Sequence, residues 1–556
     1  MQEYSYIAIK KFALMINYTP ESQLSIDLFQ TPFEAALSPD NRWVKLSKVV
    51  PWDKFASIYI KKMRADFGRP GISPRTVLGA MIIKHIEKLD DRGVIQAIQE
   101  NIYMQYFVGL KGYQAEPIFH HSLFSTLRER IGVKEFDELN QELIKWISTE
   151  RDKKHISRSR KKQNSNNSKD KNTQQGETSS KNSKTDNLSK QNDSSDNKNN
   201  TEKESTIPNK GKLQLDATVA DQYITYPTDT KLLNQSRKEC EILIDKLYQK
   251  LKEKDGKYKK PRTYRRVLDK QYLRFSKKRR KSKKEIRKTN RIFLEALKRD
   301  IKHINDMLDK FEEFPLTIKE QRMLWIVSLV YEQQKQMYDN KTQRVKHRIV
   351  SIYQPHVRPI PRGKDKSQIE FGSKLGVSYD QGLTRINTLS WEAYNESSDF
   401  KKQVMAYKDM HGFYPELVQV DSIYATKENR QWAKARGIRL TAKPLGRPKK
   451  VEVESYYEKR KRKKEAAERN KIEGKFGQGK NGYDLNKVRA KLKKTSESWI
   501  AAIFFIMNLI HLKDIGIFLS NFQNYLNSFL HLIVHITFLC KLKFQKYILQ
   551  YQTVGL

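Results

Sequence analysis

Three carboxylates stand out in this chain because each lies at a defined place in a segment that predicts regular structure. Asp216 lies within a predicted strand, Asp421 ends a second strand, and Glu473 lies near the end of a helix. Mg²⁺ prefers oxygen ligands such as carboxylates. Two such ions about 3.5–4 Å apart can activate an attacking oxygen and stabilise a leaving oxygen at a phosphodiester. The trio predicts such a site, although spacing alone does not establish that three of 64 acidic residues converge.

Each carboxylate also has a purely structural interpretation. Asp216 fits a solvent-facing position on a half-buried strand, and Asp421 fits a cap or turn. Glu473 fits a surface ion pair with Arg469, four residues earlier on one helix face. We expect that helix to end near Gly474, because glycine is common just past a helix C-terminus. These alternatives stay open from the residues alone.

Charge narrows the class of partner. The chain has 556 residues, and 108 Lys and Arg against 64 Asp and Glu give a net charge of +44. Such an excess predicts a polyanionic partner and favours nucleic acid over an acidic membrane surface. The two cysteines, Cys240 and Cys540, form neither a metal-binding spacing nor a disulfide framework, which is typical of a reducing cytoplasm. Glu3 and the Lys10–Lys11 pair argue against a signal peptide.

The elements that must position the carboxylates follow from local patterns. Residues 1–152 predict an all-helical domain, with helices beginning near Pro51 and Ser73, that suits DNA binding or equally any small helical bundle. Residues 153–212 are polar and predict a disordered linker. Residues 213–512 predict an α/β domain.

Within the α/β domain, residues 213–219 alternate apolar and polar as in a strand, and residues 229–345 predict a helical insertion, a hairpin of long helices. Its basic and aromatic residues between 259 and 284 suit a nucleic-acid backbone or a solvated face. Further strands are expected at 348–353, 369–372, 374–378, 386–391, 416–421 and 438–440.

The C-terminal region is apolar. Residues 498–507 predict a buried packing helix. Residues 515–540 lack charged groups and are long enough to span a bilayer, but their Asn, Gln and His residues argue against a transmembrane helix. We treat 513–556 as an apolar tail, either a natural extension or the product of a decayed gene.

Longer strings resemble one protein family. They include LDATVADQYITYPTDTKLLN, YPELVQVDSIYATKENR and RNKIEGKFGQGKNGYDLNKVRAKLKKTSE, and they are similar to the DDE transposases of bacterial insertion sequences, in particular the insertion-sequence-five group. The resemblance covers about residues 25–512. It implies a ribonuclease-H-like mixed-sheet core with the long helical insertion, preceded by a helical domain that recognises terminal inverted repeats. By this resemblance, Asp216, Asp421 and Glu473 are the catalytic residues and the ligands of Mg²⁺ or Mn²⁺.

The same resemblance assigns DNA contacts. Arg469 and Lys480 match the basic positions of a Tyr, Arg, Glu and Lys signature and would contact phosphates near the cut bond. Ala466 stands where that signature has Tyr, so a stacking role at this position is in doubt. Arg447 and Lys449 lie in a basic turn that we also expect to bind DNA.

The resemblance implies cut-and-paste transposition. Water attacks the phosphodiester at the element end, and the freed 3′-hydroxyl then attacks target DNA. We expect double-stranded DNA as partner, through terminal repeats and target, a homodimer or higher homo-oligomer on that DNA, and a cytoplasmic location on the nucleoid. The alternatives are a nuclease of the same fold without strand transfer, and a DNA-binding remnant without activity.

Overall fold

The computed structural model describes residues 37–63, 71–144, 208–361, 369–442 and 455–513. Within these ranges, the chain is a mixed α/β structure, as the sequence predicts. Residues 145–207 of the chain, which include most of the predicted linker, and the tail after Lys513 lie outside them. Residues 208–211 lead directly into the first strand.

Seven helices form the described N-terminal part, residues 37–63 and 71–144. They are α1 (Arg42–Ser47), α2 (Trp52–Ile60), α3 (Pro74–Ile86), α4 (Gly93–Glu100), α5 (Ile102–Phe107), α6 (Leu123–Arg130) and α7 (133–144). The expected helix starts are confirmed at Trp52 and Pro74. Proline suits the first helical position because its backbone angle is already helical and it lacks an N–H group. The apolar faces of these helices share one core.

Strand β1 (Lys212–Asp221) leads into the helical insertion. The insertion holds four helices rather than a simple hairpin: α8 (Asp229–Lys254), α9 (Arg265–Lys277), α10 (Lys283–Leu308) and α11 (Ile318–Asp339). Capping boxes begin α10 at Ser282 and α11 at Thr317. The two 26-residue helices, α8 and α10, pack along each other through a separate apolar core.

The prediction of a strand at residues 348–353 is wrong. This segment forms no strand, and Ile349 and Ile352 are buried against Leu232, Ile326 and Val330 of the insertion. Its apolar residues therefore reflect packing beneath helices rather than pairing in a sheet.

One mixed sheet follows. Its further strands are β2 (Arg358–Pro361), β3 (Ile369–Asp380), β4 (Leu383–Ser390), β5 (Leu417–Gln419) and β6 (Arg439–Leu440). The strand β1 is central, antiparallel to β3 and parallel to β5. Strands β2 and β4 pair antiparallel with β3, and β6 pairs parallel with β5. The order through the six-stranded sheet is β2–β3–β1–β5–β6, and β4 pairs with β3 beside this path.

Helices cover both faces of the sheet. Helices α12 (Phe400–His411) and α13 (Lys427–Lys434) come before and after β5 in the chain. Phe400 packs with Leu213 and Leu215 on one face of β1. On the other face, Ile472 packs with Ala220. Because β1 is covered on both sides, most of its residues are buried, whereas its alternating pattern predicts a half-buried strand.

Helix α14 (Tyr456–Gly482) corrects a second prediction, since it continues through Gly474. A helical glycine costs about 1 kcal/mol relative to alanine. Ile472 and Phe476, buried in the core under the sheet, outweigh that cost. Gly479 allows close packing, since a Cβ there would lie 3.2 Å from Leu485 Cδ2 and 3.3 Å from Met507 Sδ.

Helix α15 (Lys493–Lys513) packs against both the N-terminal helices and the sheet. Phe505 lies 5.2 Å from Phe55 of α2 between ring centroids, and Ile503 packs with Leu375 and Val377 of the sheet. The buried packing helix predicted at 498–507 is confirmed. Among the described residues, α15 is long and apolar enough to cross a membrane, but 83% of its apolar window is buried inside the protein.

Candidate active site

The register between β1 and β5 pairs the residues that lead to two of the three carboxylates. The two parallel strands pair from Lys212 opposite Leu417 to Gln214 opposite Gln419. Asp216 and Asp421 each come two residues after the paired glutamines, and Asp421 keeps an extended backbone. Residues two apart on a strand point to the same face, so both aspartates follow the direction of the glutamine pair.

That glutamine pair fixes the helix that carries the third carboxylate. Gln214 Nε2 donates to Gln419 Oε1 and to the Glu468 carbonyl of α14, both at 2.7 Å. Gln419 Nε2 donates to the Glu465 carbonyl at 3.0 Å. Sequence reasoning missed this pair, although each strand carries the same signal, a glutamine two residues before the aspartate.

Helix α14 runs alongside β1 in the same direction. Glu468 lies at Gln214, and Lys480 lies at Asp221, with 3.8 Å between Lys480 Nζ and Asp221 Oδ2. Glu473 lies between these two contacts, about 7.5 Å along the helix from Glu468 at 1.5 Å per residue. Asp216 lies about 6.6 Å along β1 from Gln214. Glu473 is therefore level with Asp216 along the strand direction, and its charge acts on Asp216.

Asp216 is half-buried, and its Oδ1 accepts a hydrogen bond from the Ala217 N–H at 2.8 Å. Burial raises the pKa of Asp216 to about 6, because desolvation disfavours the charged form. The Ala217 hydrogen bond and the Arg469 charge lower that pKa, whereas the charges of Glu396 and Glu473 raise it. Asp216 thus lies among carboxylates that repel its charge.

Asp421 is exposed and acts as a cap. Its Oδ1 accepts a hydrogen bond from the Ser422 N–H at 2.7 Å, at the start of the short 3₁₀ helix Ser422–Tyr424. The structural interpretation of this residue is therefore realised. Because a carboxylate has two oxygens, the cap leaves ligand capacity at Asp421.

Glu473 also realises its structural interpretation. Its Oε1 lies 3.2 Å from Arg469 Nη2, and its side chain is 52% exposed. Among the described residues, no three or more His, Cys, Asp and Glu side chains are close enough to form a metal-binding group. Closing a ligand set around Asp216 and Asp421 requires Glu473 to turn from Arg469.

Glu396 was not anticipated from the sequence. It belongs to the 3₁₀ helix Glu396–Asp399 and pairs with Lys374 at 2.9 Å. Asn429 holds this turn beside the one that follows Asp421, through bonds to the Ser397 and Tyr424 carbonyls. No spacing in the sequence links Glu396 to Asp216, because the contact depends on the folded sheet.

The basic site residues differ in placement. Arg469 lies beside Glu473. Lys480 Nζ lies 3.1 Å from Glu370 Oε1 as well as near Asp221, about 17 Å along β1 from Asp216 at 3.3 Å per residue. Arg447 and Lys449 lie outside the described residues. Ala466 is exposed on α14.

Two segments of the chain match known protein families. Residues 31–130 match a family described as transposase domain (DUF772), and residues 418–510, which contain Asp421 and Glu473, match the transposase DDE domain. The chain is 33% identical over 113 residues to an uncharacterized protein, ORF8 in the nfe locus of Rhizobium meliloti. This alignment covers 20% of the chain and spans about half, 54%, of that relative. No solved structure matches. Both matched families are described as transposase domains, the second of the DDE type.

Proposed function

We propose that the chain cuts DNA at the ends of a mobile element and joins the freed ends to target DNA, with Mg²⁺ or Mn²⁺ held by Asp216, Asp421 and Glu473. The observation that carries this proposal is the parallel register of β1 and β5, which pairs Gln214 with Gln419, each two residues before one of the aspartates and each bonded to a carbonyl of α14. Carboxylates from two neighbouring strands and the helix bonded to them suit a divalent ion in ligand type.

The strand order supports a ribonuclease-H-like core of the insertion-sequence-five type. Three strands are antiparallel to their neighbours, β4–β3–β1, and two follow in parallel, β5–β6. The acids lie within the central strand, after its parallel neighbour and on the covering helix. In this proposal, residues 213–512 are the catalytic domain, and residues 1–152 recognise the terminal repeats.

The side chains have separate tasks. A divalent ion, when bound, supplies positive charge to the phosphodiester oxygens. Asp216 would hold the ion as an anion, which its pKa of about 6 permits at neutral pH. Glu473 would hold the ion in place of Arg469, whose guanidinium would then be free to donate to a phosphate oxygen of the DNA.

Exposed cations suit the DNA partner. Residues 277–284, from the end of α9 to the start of α10, are all exposed and contain seven Lys or Arg residues. Neutralising phosphates releases counterions and favours binding. Neither the apolar tail, residues 513–556, nor a homodimer on DNA is required for the proposed cutting and joining.

The test is cleavage and joining of labelled duplexes that carry the DNA flanking the gene. The purified chain with Mg²⁺ is expected to cut at the element end and to join that end to a second duplex. Asp216→Asn, Asp421→Asn and Glu473→Gln should each lose both products, by a factor of at least about 100 if one ligand is worth ~3 kcal/mol.

Glu468→Gln is the matched control, because Glu468 lies on the same helix and pairs with Lys212 on the surface. It should retain activity. Full activity in any of the three site variants would remove that residue from the ligand set. Cutting without joining, even of a pre-cut end, would favour a nuclease, and binding without cutting would favour an inactive remnant.

A further inference from the structure

The first nine residues of α14, 456–464, project from the protein as an arm. All of their described side chains are exposed, with Tyr456 at 82% and Tyr457 at 72%. Among the described side chains, the contacts of the helix with the body begin at Glu465, whose carboxylate pairs with Arg439 and whose carbonyl accepts from Gln419. We call residues 456–464 the α14 arm.

The α14 arm is strongly basic. It contains six consecutive cations, residues 459–464, and one acid, Glu458, which is engaged in the capping box with Ser455. Like charges four residues apart, such as Lys459 and Lys463, destabilise a helix by about 0.2–0.5 kcal/mol a pair. A short helix without packing is marginal in water. A polyanion along the arm would remove this repulsion.

The distribution of the cations selects the type of polyanion. Six consecutive helical positions turn through more than a full circle, so the basic positions are distributed all around the axis. A flat anionic surface meets only one side of such a helix. The major groove of a duplex is about 12 Å wide, admits a helix, and has phosphates along both flanks.

We infer that the α14 arm lies in a groove of double-stranded DNA about five base pairs from the bond that is cut. The distance follows from the unbroken helix: Lys461 and Glu473 are twelve residues apart, about 18 Å at 1.5 Å per residue. At about 3.4 Å per base pair, 18 Å corresponds to five base pairs. This inference rests on the proposed function, because it takes Glu473 as the point of cutting.

The arm and the site are thereby mechanically linked. Arg439 and the glutamine pair hold α14 on the sheet at Glu465 and Glu468. DNA held by the arm is therefore aligned with the part of the same helix that carries Arg469 and Glu473. Tyr456 and Tyr457 add hydroxyl donors for phosphates.

The test compares two variants with the same change of charge. The arm variant combines Lys459→Gln, Arg460→Gln, Lys463→Gln and Lys464→Gln. The control combines Lys252→Gln, Lys298→Gln, Lys302→Gln and Lys319→Gln, four exposed positions on the insertion helices. Each lost phosphate contact reduces the slope of log K against log salt concentration by about 0.9.

The arm variant should bind an element-end duplex with a slope lower by about 2–4, well beyond the control. Hydroxyl-radical footprinting should lose protection about five base pairs from the cut in the arm variant only. An equal change of slope in both variants, or a footprint that persists, would overturn the inference. If the inference about the arm is overturned in this way but the wild type cuts the element ends, the proposed function still holds. Protection that depends on the arm, without any cutting by the wild type, would instead refute the proposed function.

Discussion

Replacing Asp216 by asparagine should stabilise the fold at neutral and alkaline pH. The folded-state pKa of Asp216 is about 6, against an ordinary value of 3.8. Because this pKa is raised, the folded state holds the proton more tightly than the unfolded state. Stability is therefore lost as the pH rises from about 4 to about 6, and the charged carboxylate costs the folded state its full amount above that range.

The size of this cost follows from the shift. A difference of roughly two pKa units corresponds to ~3 kcal/mol at 1.36 kcal/mol per unit, an upper value because Asp216 retains some contact with water. Asp216→Asn keeps the shape and removes the charge. It should gain about 1–3 kcal/mol at pH 8 and little at pH 4.

Urea unfolding in EDTA at the two pH values measures the difference. Asp421→Asn is the matched control, because Asp421 is exposed and asparagine also caps. Its stability should change less. Adding Mg²⁺ should stabilise the wild type, by about 2.7 kcal/mol at 100 times the dissociation constant, and not Asp216→Asn. An Asp216→Asn protein no more stable than the wild type at pH 8 would refute the reasoning.

Two further predictions concern packing. Gly474→Ala, where a Cβ meets nothing within 4 Å, should stabilise α14 by about 0.5–1 kcal/mol, whereas Gly479→Ala should cost about 1 kcal/mol through its contacts with Leu485 and Met507. Equal gains from both in thermal unfolding would contradict the close approach at Gly479. Trp499→Ala should cost about 3–5 kcal/mol in urea, because Trp499 is buried and Lys84 Nζ lies 3.7 Å from its ring centroid. A cost under about 1 kcal/mol would contradict the packing of α15 against the N-terminal helices at Trp499.

Local patterns predicted the elements that carry the aspartates. Alternation identified β1 around Asp216, and a short apolar run identified the strand that leads to Asp421. The pairing of these strands could not be predicted from local patterns, because about 200 residues separate them and register depends on which faces become buried. The effect of the Glu396 charge on the pKa of Asp216 depends on the same folded arrangement.

Tertiary packing overrode local propensity in two places. Glycines predicted an end for α14, but burial of Ile472 and Phe476 extends the helix. The apolar residues 348–353 resembled a strand but pack under the insertion. The role of α15 in joining the N-terminal helices to the sheet had no local signal beyond its apolar composition.

The most direct measurement is the anomalous scattering of Mn²⁺ in crystals of the chain bound to an element-end duplex. The account predicts a peak about 2.1 Å from carboxylate oxygens of both Asp216 and Asp421, with Glu473 turned away from Arg469 toward the ion. A Mn²⁺ peak elsewhere, with Asp216 and Asp421 free of metal, would contradict the proposed site.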